Sequence, residues 1–415
     1  MTEWKTYTLK ELSKGRGEYG IGAPAVPFDK EKYTYLRITD INDDGTLNTS
    51  GMMSVDADDA EEYILEKNDI VFARTGNSTG RSYFYDGRDG ELVYAGFLIR
   101  FRLDETKVNP KILKYYTHSK PYYDWVKSFD TGGTRGNINA KTYGDMPIYL
   151  PPRHIQDRIV GILGAIDDKI ENNRRINTNL ELQAQTLYKQ WFVDFEFPNE
   201  EGKPYKSSGG KMADSELGPI PEGWSVGKLE DMGTIVGGGT PSKAKQEYYT
   251  SNGIAWVTPK DLSITHAKFT AKGEVDITDI GYANSSAKMM PRGSILFSSR
   301  APIGYISIAK NDICTNQGFK SVVPNNGCTA FVYYFLLSNT ENIESKATGS
   351  TFKEASGALM KSLELVIPSD DILEKFEKIM SPIFEAQEKF EAENKTLVTL
   401  RDTLLPKLMN GEIKI

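Results

Sequence analysis

Two stretches of this sequence are versions of one another: EWKTYTLKEL at residues 3–12 and GWSVGKLEDM at residues 223–232. Four further pairs follow in the same order: YLRITDIND (35–43) with AWVTPKDLS (255–263), NDIVFARTG (68–76) with GSILFSSRA (293–301), TGGTR (131–135) with TGSTF (348–352), and IYLPP (148–152) with LVIPS (365–369). The offset between the copies drifts from 217 to 225 residues. A repeat of this length predicts a duplicated structural unit with small differences in its loops.

Each copy has the pattern of a globular α+β unit. Short apolar runs bounded by turn residues predict strands at Ile70–Ala73, Phe97–Phe101, Ile295–Ser298 and Tyr305–Ala309. Helical patterns occur between them at Pro110–Thr117 and Thr329–Ser338. Strands and short helices mixed within one unit favour an α+β fold rather than a helical bundle or a parallel α/β sheet.

A long amphipathic helix is predicted after each copy. Apolar residues recur at steps of three and four at Ile155, Ile159, Ile162, Ile166, Ile170, Leu180, Ala184, Leu187 and Trp191. The second stripe follows 217 residues later at Ile372, Phe376, Ile379, Ile383, Leu397, Leu404 and Leu408, and Pro382 should break or kink that helix. We expect the two helices to pack antiparallel, although each could instead pack on its own domain.

The predicted organisation therefore has five segments. Globular domains cover residues 1–152 and 223–368, and long helical regions cover 153–196 and 369–415. Residues 197–222 between the copies lack an apolar period and are rich in Gly, Pro, Ser and charged residues, which is typical of a linker. Asn177 and Asn394 interrupt the two apolar stripes at the same repeat position, where buried asparagines could fix helix register.

Composition limits the classes of function. The 415 residues carry 50 basic and 57 acidic side chains, a net charge of −7, which argues against coating nucleic acid through bulk positive charge but allows a local binding face. No apolar run approaches the length of a membrane span, so we expect a soluble, cytoplasmic protein. Two cysteines and three scattered histidines predict neither a disulfide framework nor a zinc site.

Motifs of a self-sufficient catalyst are missing from the sequence. The segment TGNSTGRS (75–82) resembles a phosphate-binding loop, but three residues instead of four separate Gly76 from Gly80, and Arg81 stands in place of the lysine. We find no nucleophile elbow, no Cys/His arrangement and no dinucleotide-binding glycine motif after a strand. We therefore predict a chain that is not itself an enzyme and has no catalytic or metal-binding residues.

Taken together, these features resemble the DNA-specificity subunit of type I restriction-modification systems. The resemblance rests on the paired halves, DIVFARTGNSTGRS, SILFSSRAPIG, TNQGFKSV, the TGGTR and TGSTF loops, the segment GKPYKSSGGKMADSELGPIPEGW and the ending LRDTLLPKLMNGEI. It implies that each domain is a target recognition domain reading one part of a split site in double-stranded DNA. It also implies modification subunits that use S-adenosylmethionine, an ATP- and Mg-dependent restriction subunit, and no cofactor bound by this chain.

Residue chemistry supplies candidate DNA contacts in loops that follow predicted strands. Arginine and lysine suit phosphates and guanine, hydroxyl groups suit either, and the Gln317 amide suits adenine. The candidates are Arg74, Ser78, Thr79, Arg81, Thr134, Arg135 and Asn137 in the first copy, and Lys260, Ser298, Arg300, Asn316, Gln317, Lys320, Thr351 and Lys353 in the second. The loops differ between the copies, so the two half-sites should differ.

Two other classes of function remain open from the sequence. An enzyme would show nuclease or methyltransferase activity in the purified chain and would bind S-adenosylmethionine. A helical scaffold or interaction protein would share the long helices but would show no sequence-specific DNA binding.

Overall fold

The two ends of each repeat copy pair with each other as antiparallel strands. Lys5–Thr8 pairs with Pro147–Leu150, and Ser225–Lys228 pairs with Glu364–Ile367. These are the segments that the repeat equates, at offsets of 220 and 217 residues. The same strand pair therefore closes both copies, which confirms the predicted duplication of an α+β unit.

The computed structural model describes residues 4–130, 136–300, 302–349 and 353–415. The chain divides into two units, Met1–Glu171 with Lys395–Ile415, and Asn172–Asn394. We refer to them as unit 1 and unit 2. Each unit thus combines one repeat copy with one segment from each of the two long helices.

Unit 1 contains ten strands and three short helices among its described residues. The strands are β1 Lys5–Thr8, β2 Glu18–Tyr19, β3 Ala25–Val26, β4 Tyr33–Leu36, β5 Met53–Val55, β6 Asp69–Ala73, β7 Ser82–Phe84, β8 Leu92–Tyr94, β9 Leu98–Arg102 and β10 Pro147–Leu150. The helices are α1 Lys111–Tyr116, α2 Lys120–Lys127 and α3 Ala140–Gly144. Two four-stranded sheets form, in the orders β2-β9-β6-β7 and β3-β5-β4-β8.

The first long helix, α4, spans Arg153–Tyr188 and ends in a π-helical turn, Lys189–Val193. This turn widens the helix so that the adjacent residues Trp191 and Phe192 both enter the core of unit 2. The second long helix spans Asp370–Met409. Among the described residues, no helix is both long and apolar enough to cross a membrane.

Unit 2 repeats the plan with a five-stranded sheet. Its strands are β11 Met212–Ala213, β12 Ile220–Pro221, β13 Ser225–Lys228, β14 Gly233–Gly237, β15 Tyr249–Thr250, β16 Trp256–Val257, β17 Phe269–Thr270, β18 Asp276–Ile277, β19 Ile295–Ser299, β20 Ile303–Ala309, β21 Cys314–Thr315, β22 Lys320–Pro324 and β23 Glu364–Ile367. Its helices are α5 Leu229–Met232, α6 Pro259–Thr265, α7 Asp279–Ala283, α8 Thr329–Ser338, α9 Thr340–Lys346 and α10 Gly357–Lys361, and the long helix Asp370–Met409 is α11. The main sheet has the order β14-β22-β19-β20-β17.

The central strand pair is equivalent in the two units. In unit 1, β6 and β9 run antiparallel with Ile70 opposite Phe101. In unit 2, β19 and β22 run antiparallel with Ile295 opposite Val322. This register equates each residue near Ile70 with the residue 225 positions later, and each residue near Phe101 with the residue 221 positions later.

Both long helices complete the hydrophobic core of each unit. In unit 1, Ile159 and Leu163 of α4 join Leu405 and Leu408 of α11 in the cluster beneath α1 and α3. In unit 2, the corresponding cluster contains Ala184, Tyr188, Ile372, Phe376 and Met380. Within unit 2 the two helices run antiparallel, because Asn173 contacts Asn394 whereas Tyr188 contacts Phe376.

The apolar stripes differ from the prediction at two repeat-related positions. Ile162 and Ile379 are 38% and 42% exposed, whereas their neighbours Leu163 and Met380 are fully buried. Both positions hold two adjacent apolar residues, so the sequence pattern is satisfied by either one. The predicted assignment of Ile162 and Ile379 to the buried stripe was wrong by one residue.

Pro382 does not break α11, contrary to the expectation of a break. The helix runs continuously from Asp370 to Met409. Proline removes the hydrogen bond to the carbonyl four residues earlier, which here belongs to Lys378. Pro382 and Lys378 are both exposed, so water can solvate the freed carbonyl.

The segment predicted as a linker is folded onto unit 2. The Phe197 ring stacks on Trp224 at 4.9 Å and on Tyr205 at 4.6 Å between ring centroids, and Ile220 is buried in the main cluster. Irregularly spaced aromatic side chains hold this segment. They have no helical or strand period, which is why the pattern did not reveal them.

Asparagines contact the opposite helix as the stripes suggested, but a third one carries the shortest contact. Asn173 is fully buried, and its amide nitrogen donates to Asn394 Oδ1 at 2.9 Å. Asn177 Nδ2 lies 3.4 Å from the backbone oxygen of Gln387. The role of these residues in setting helix register stays a prediction.

A buried lysine joins both helices to the recognition domain of unit 2. Lys268 Nζ donates to Glu181 Oε2 at 2.5 Å, to Gln387 Oε1 at 2.9 Å and to the Tyr334 hydroxyl at 2.8 Å, and lies 4.2 Å from the centroid of the Phe384 ring. Burial opposes ionisation of Glu181, yet Lys268 holds the pKa of this carboxyl below its ordinary value. The pair is therefore an ion pair inside the protein.

Replacing Lys268 with alanine should leave a buried carboxylate without its cation and lower the free energy of unfolding by about 3 kcal/mol. Equilibrium unfolding in urea would measure this change. Lys260→Ala is the matched control, because the side chains of the Lys260–Glu274 ion pair are each 68% exposed and the pair should contribute little. The double variant Lys268→Met, Glu181→Gln should recover much of the loss. A Lys268→Ala chain as stable as the control would contradict this account.

Candidate nucleic-acid interface

The loop after β6 in unit 1 turns sharply and is held by the body of the domain. Gly80 has a φ of +87°, and a Cβ at this position would lie 2.5 Å from Val126 Cγ1. The hydroxyl of buried Tyr122 donates to the Gly80 carbonyl at 2.6 Å. This loop therefore requires glycine and has a fixed shape.

Two of the candidate DNA contacts in this loop face inward. Ser78 and Thr79 are 7% and 6% exposed, and the Thr79 hydroxyl donates to the Gly76 carbonyl at 2.9 Å. Their side chains support the turn and are not presented at the surface. The structure thus corrects their predicted role as exposed hydroxyl donors, because short polar side chains in tight turns commonly bond to their own backbone.

Arg81 lies at the surface of the same loop but is already paired. Its Nε donates to Asp43 Oδ1 at 2.7 Å, and its Nη1 donates to the Ile41 carbonyl at 3.0 Å. Asp43 is 85% exposed, so the ion pair is open to solvent on one side. Arg81 can contact DNA if a phosphate replaces the carboxylate.

Arg74 stands at the end of β6 beside two exposed aromatic residues. Its guanidinium carbon lies 5.1 Å from the centroid of the Tyr19 ring, and its backbone N–H donates to the Phe97 carbonyl at 3.1 Å. Tyr19 and Phe97 are 43% and 58% exposed. Arg74 Nε is buried without a hydrogen-bond partner among the described residues.

The segment after the second glycine-rich loop reaches the same place. The N–H of Ile138 donates to the Arg74 carbonyl at 3.0 Å, and the N–H of Ala140 donates to the Tyr19 hydroxyl at 3.1 Å. Asn137, directly before Ile138, is exposed. Arg74 and Asn137 are therefore brought together, whereas Thr134 and Arg135 lie outside the described residues.

In unit 2 the equivalent strand end carries a buried serine and two paired cations. Ser298 is fully buried, and its hydroxyl donates to the Pro302 carbonyl at 2.9 Å, so this candidate is corrected to a structural residue. Glu354 accepts from Lys320 at 3.0 Å and lies 3.8 Å from Arg300. Arg300 and Lys320 thus share one carboxylate that the sequence did not link to them.

The remaining candidates of unit 2 are at the surface. Gln317 is exposed, and its side-chain oxygen accepts a hydrogen bond from the Thr240 hydroxyl. The side-chain oxygen of Asn316 accepts from the Gly318 N–H at 2.8 Å, so it shapes the turn. Lys260 pairs with Glu274, and Lys353 is exposed, whereas Thr351 lies outside the described residues.

Sequence reasoning missed Tyr19, Phe97 and Glu354. A signal for Phe97 was available, because the run YAGFLIRF (94–101) resembles TNQGFKSV (315–322), and the GF pair places an aromatic residue next to a strand start. For Tyr19 and Glu354 the sequence offered no signal, since their contacts join segments distant in the chain. Which of these surface residues touch DNA stays a prediction.

The chain matches the family model of the type I restriction modification DNA specificity domain twice, over residues 1–182 and 221–399. It is 25% identical over 472 residues to the type I restriction enzyme HindI specificity subunit of Haemophilus influenzae, and this comparison covers 100% of both chains. It is 36% identical over 190 residues to the MjaIX specificity subunit of Methanocaldococcus jannaschii, covering 45% of this chain and 44% of that one.

A solved structure has the same fold. The crystal structure of the type I restriction-modification S subunit from M. genitalium superposes with a TM-score of 0.59, covering 98% of this chain and 96% of the other at 16% identity. At this identity the likeness establishes the fold alone.

Proposed function

This chain belongs to the type I restriction-modification DNA specificity family, and from this premise we propose that it is the subunit that recognises a bipartite DNA target. Each unit would read one half-site in double-stranded DNA, acting in the cytoplasm. The observation that carries the proposal is the duplicated unit whose equivalent strand ends carry different polar surfaces: Arg74 with two aromatic rings in unit 1, and Arg300, Gln317 and Lys320 in unit 2.

The two surfaces suit different bases. An arginine free of carboxylate partners can donate to guanine or to phosphate, whereas the Gln317 amide can both donate to and accept from adenine. Because the scaffold beneath the loops is the same, half-sites would differ through loop chemistry alone. This division supports a split target with two unrelated halves.

Catalysis would reside in partner subunits. Modification subunits would use S-adenosylmethionine to methylate the target, and a restriction subunit would use ATP and Mg to cleave unmodified DNA. This chain would bind none of these cofactors and would supply only the recognition of sequence. A helical scaffold without DNA recognition is the alternative, but the exposed or carboxylate-free residues Arg74, Asn137 and Lys353 at corresponding loops favour a nucleic-acid surface.

Mapping of methylated adenines in a host with and without this gene tests the proposed function. We expect a methylated motif that depends on the gene and consists of two defined halves separated by undefined bases. A gene-dependent motif that is continuous, or the absence of any gene-dependent motif in a host with active partner subunits, would refute the proposal.

The long helices offer two equivalent docking points for partner subunits. Ile162 on α4 and Ile379 on α11 are related by the repeat, and both are exposed although both are large and apolar. An apolar side chain at the same exposed position of each copy suits two copies of one partner. The exposed isoleucines are therefore candidates for anchoring the modification subunits.

Replacing Ile162 or Ile379 with aspartate should weaken binding of a modification subunit about tenfold at the altered copy, because a buried apolar anchor commonly contributes more than ~1 kcal/mol to an interface. Titration of labelled chain with purified modification subunit measures this. Leu182→Asp is the control, since Leu182 is 58% exposed on α4 and has no apolar counterpart at the repeat position, Thr399. Normal assembly by the double variant would exclude these residues from the interface.

A further inference from the structure

An aromatic ring is held at the surface of unit 1 by a rigid turn. Phe97 lies in the turn between β8 and β9 and is 58% exposed. The backbone around it is fixed by hydrogen bonds from Gly96 N to Ile21 O at 2.7 Å, from Leu98 N to Ala95 O at 2.8 Å and from Arg74 N to Phe97 O at 3.1 Å. The ring is therefore presented to solvent from a fixed position.

The cation next to this ring lacks a carboxylate partner. In the same sheet and loop region, Arg81 pairs with Asp43, and Arg100 and Arg102 both pair with Glu18. Arg74 has no ion pair among the described residues, and its guanidinium rests near the Tyr19 ring instead. A cation positioned by an aromatic ring keeps its charge available for an anionic ligand.

The equivalent place in unit 2 has different chemistry. The shared register of β6 with β9 and of β19 with β22 equates Phe97 with Gly318 and Arg74 with Ser299. Ser299 is fully buried, and the exposed residue next to Gly318 is Gln317. The exposed ring and the free arginine are therefore not needed by the common scaffold, since the second copy folds without them.

We infer that Phe97 is a specificity-determining residue of unit 1 that contacts the C5-methyl group of a thymine in the major groove, with Arg74 beside it donating to the neighbouring nucleotide. The inference rests on the proposed function. Of the four bases, thymine alone carries a methyl group on the major-groove edge, and apolar side chains including phenylalanine recognise it. The free cation supplies attraction to the backbone on the same surface.

Deoxyuridine provides the direct test, because it lacks only the methyl group of thymine. The complex of this chain with its modification subunits is titrated with duplexes of the mapped target in which each thymine or its base-paired counterpart is replaced by deoxyuridine, one at a time. At one position of the half-site read by unit 1, we expect about fourfold weaker binding, the value for one buried methyl-sized group.

The same titrations with Phe97→Ala should show no difference between thymine and deoxyuridine at that position. Phe97→Leu, which keeps an apolar side chain, should retain most of the difference. Gln317→Ala is the control in unit 2 and should leave the effect of Phe97 unchanged. Thermal unfolding of all three variants establishes that they fold, as expected for exposed positions.

Several outcomes would overturn the inference. It fails if no thymine of that half-site is sensitive to deoxyuridine, or if the sensitivity persists in Phe97→Ala. A wild-type complex that does not distinguish its target from unrelated DNA would instead refute the proposed function. A complex that distinguishes its target but ignores every thymine methyl would refute only the role of Phe97.

Discussion

The packing of two shared helices into two separate cores is the constraint on which the rest of the structure depends. Neither repeat copy buries its apolar face alone: unit 1 is completed by Leu163 of α4 and Leu405 of α11, and unit 2 by Tyr188 of α4 and Phe376 of α11. The chain must therefore pass through both units twice. A recognition loop is fixed in position because its domain is fixed to both helices.

Each unit also anchors its helices through a buried carboxylate on α4. In unit 1, Asp167 accepts from Lys114 of the domain at 2.8 Å and from Arg401 of α11 at 3.3 Å. In unit 2, Glu181 has the same kind of partners in Lys268 and Gln387. Asp167 and Glu181 are not related by the repeat. Apolar packing alone tolerates slippage, and polar contacts at different heights can give each domain its own seat on the helices.

The duplication made much of the fold predictable from the sequence. Equating residues at offsets of 217 to 225 identified the strand pairs that close the units and placed α8 at Thr329–Ser338, where the structure has it. Helical periodicity located the stripes but could not choose between Ile162 and Leu163, because the choice depends on which residue meets the domain. The buried Asn173 escaped notice for the same reason.

The candidate site was less predictable, because loop chemistry depends on contacts between distant segments. Ser298 looks like a surface residue in the sequence, yet its hydroxyl closes a turn inside unit 2. Arg74 and Arg81 are equally basic in the sequence, but Asp43 neutralises the second and Tyr19 supports the first. Residue type indicates what a loop can bind, whereas the three-dimensional partners decide which side chains are available.

The measurement that tests this account most directly is the spacing of the methylated half-sites after both helices are lengthened. Inserting four residues after Glu171 and four after Asn394, where the chain passes between units, adds about 6 Å to each helix and roughly preserves its apolar face. If the units read independently and the helices set their separation, the undefined spacer should grow by about two bases, at ~3.4 Å each, with both half-sites unchanged. An active variant with an unchanged spacer, or with altered half-sites, would contradict the account.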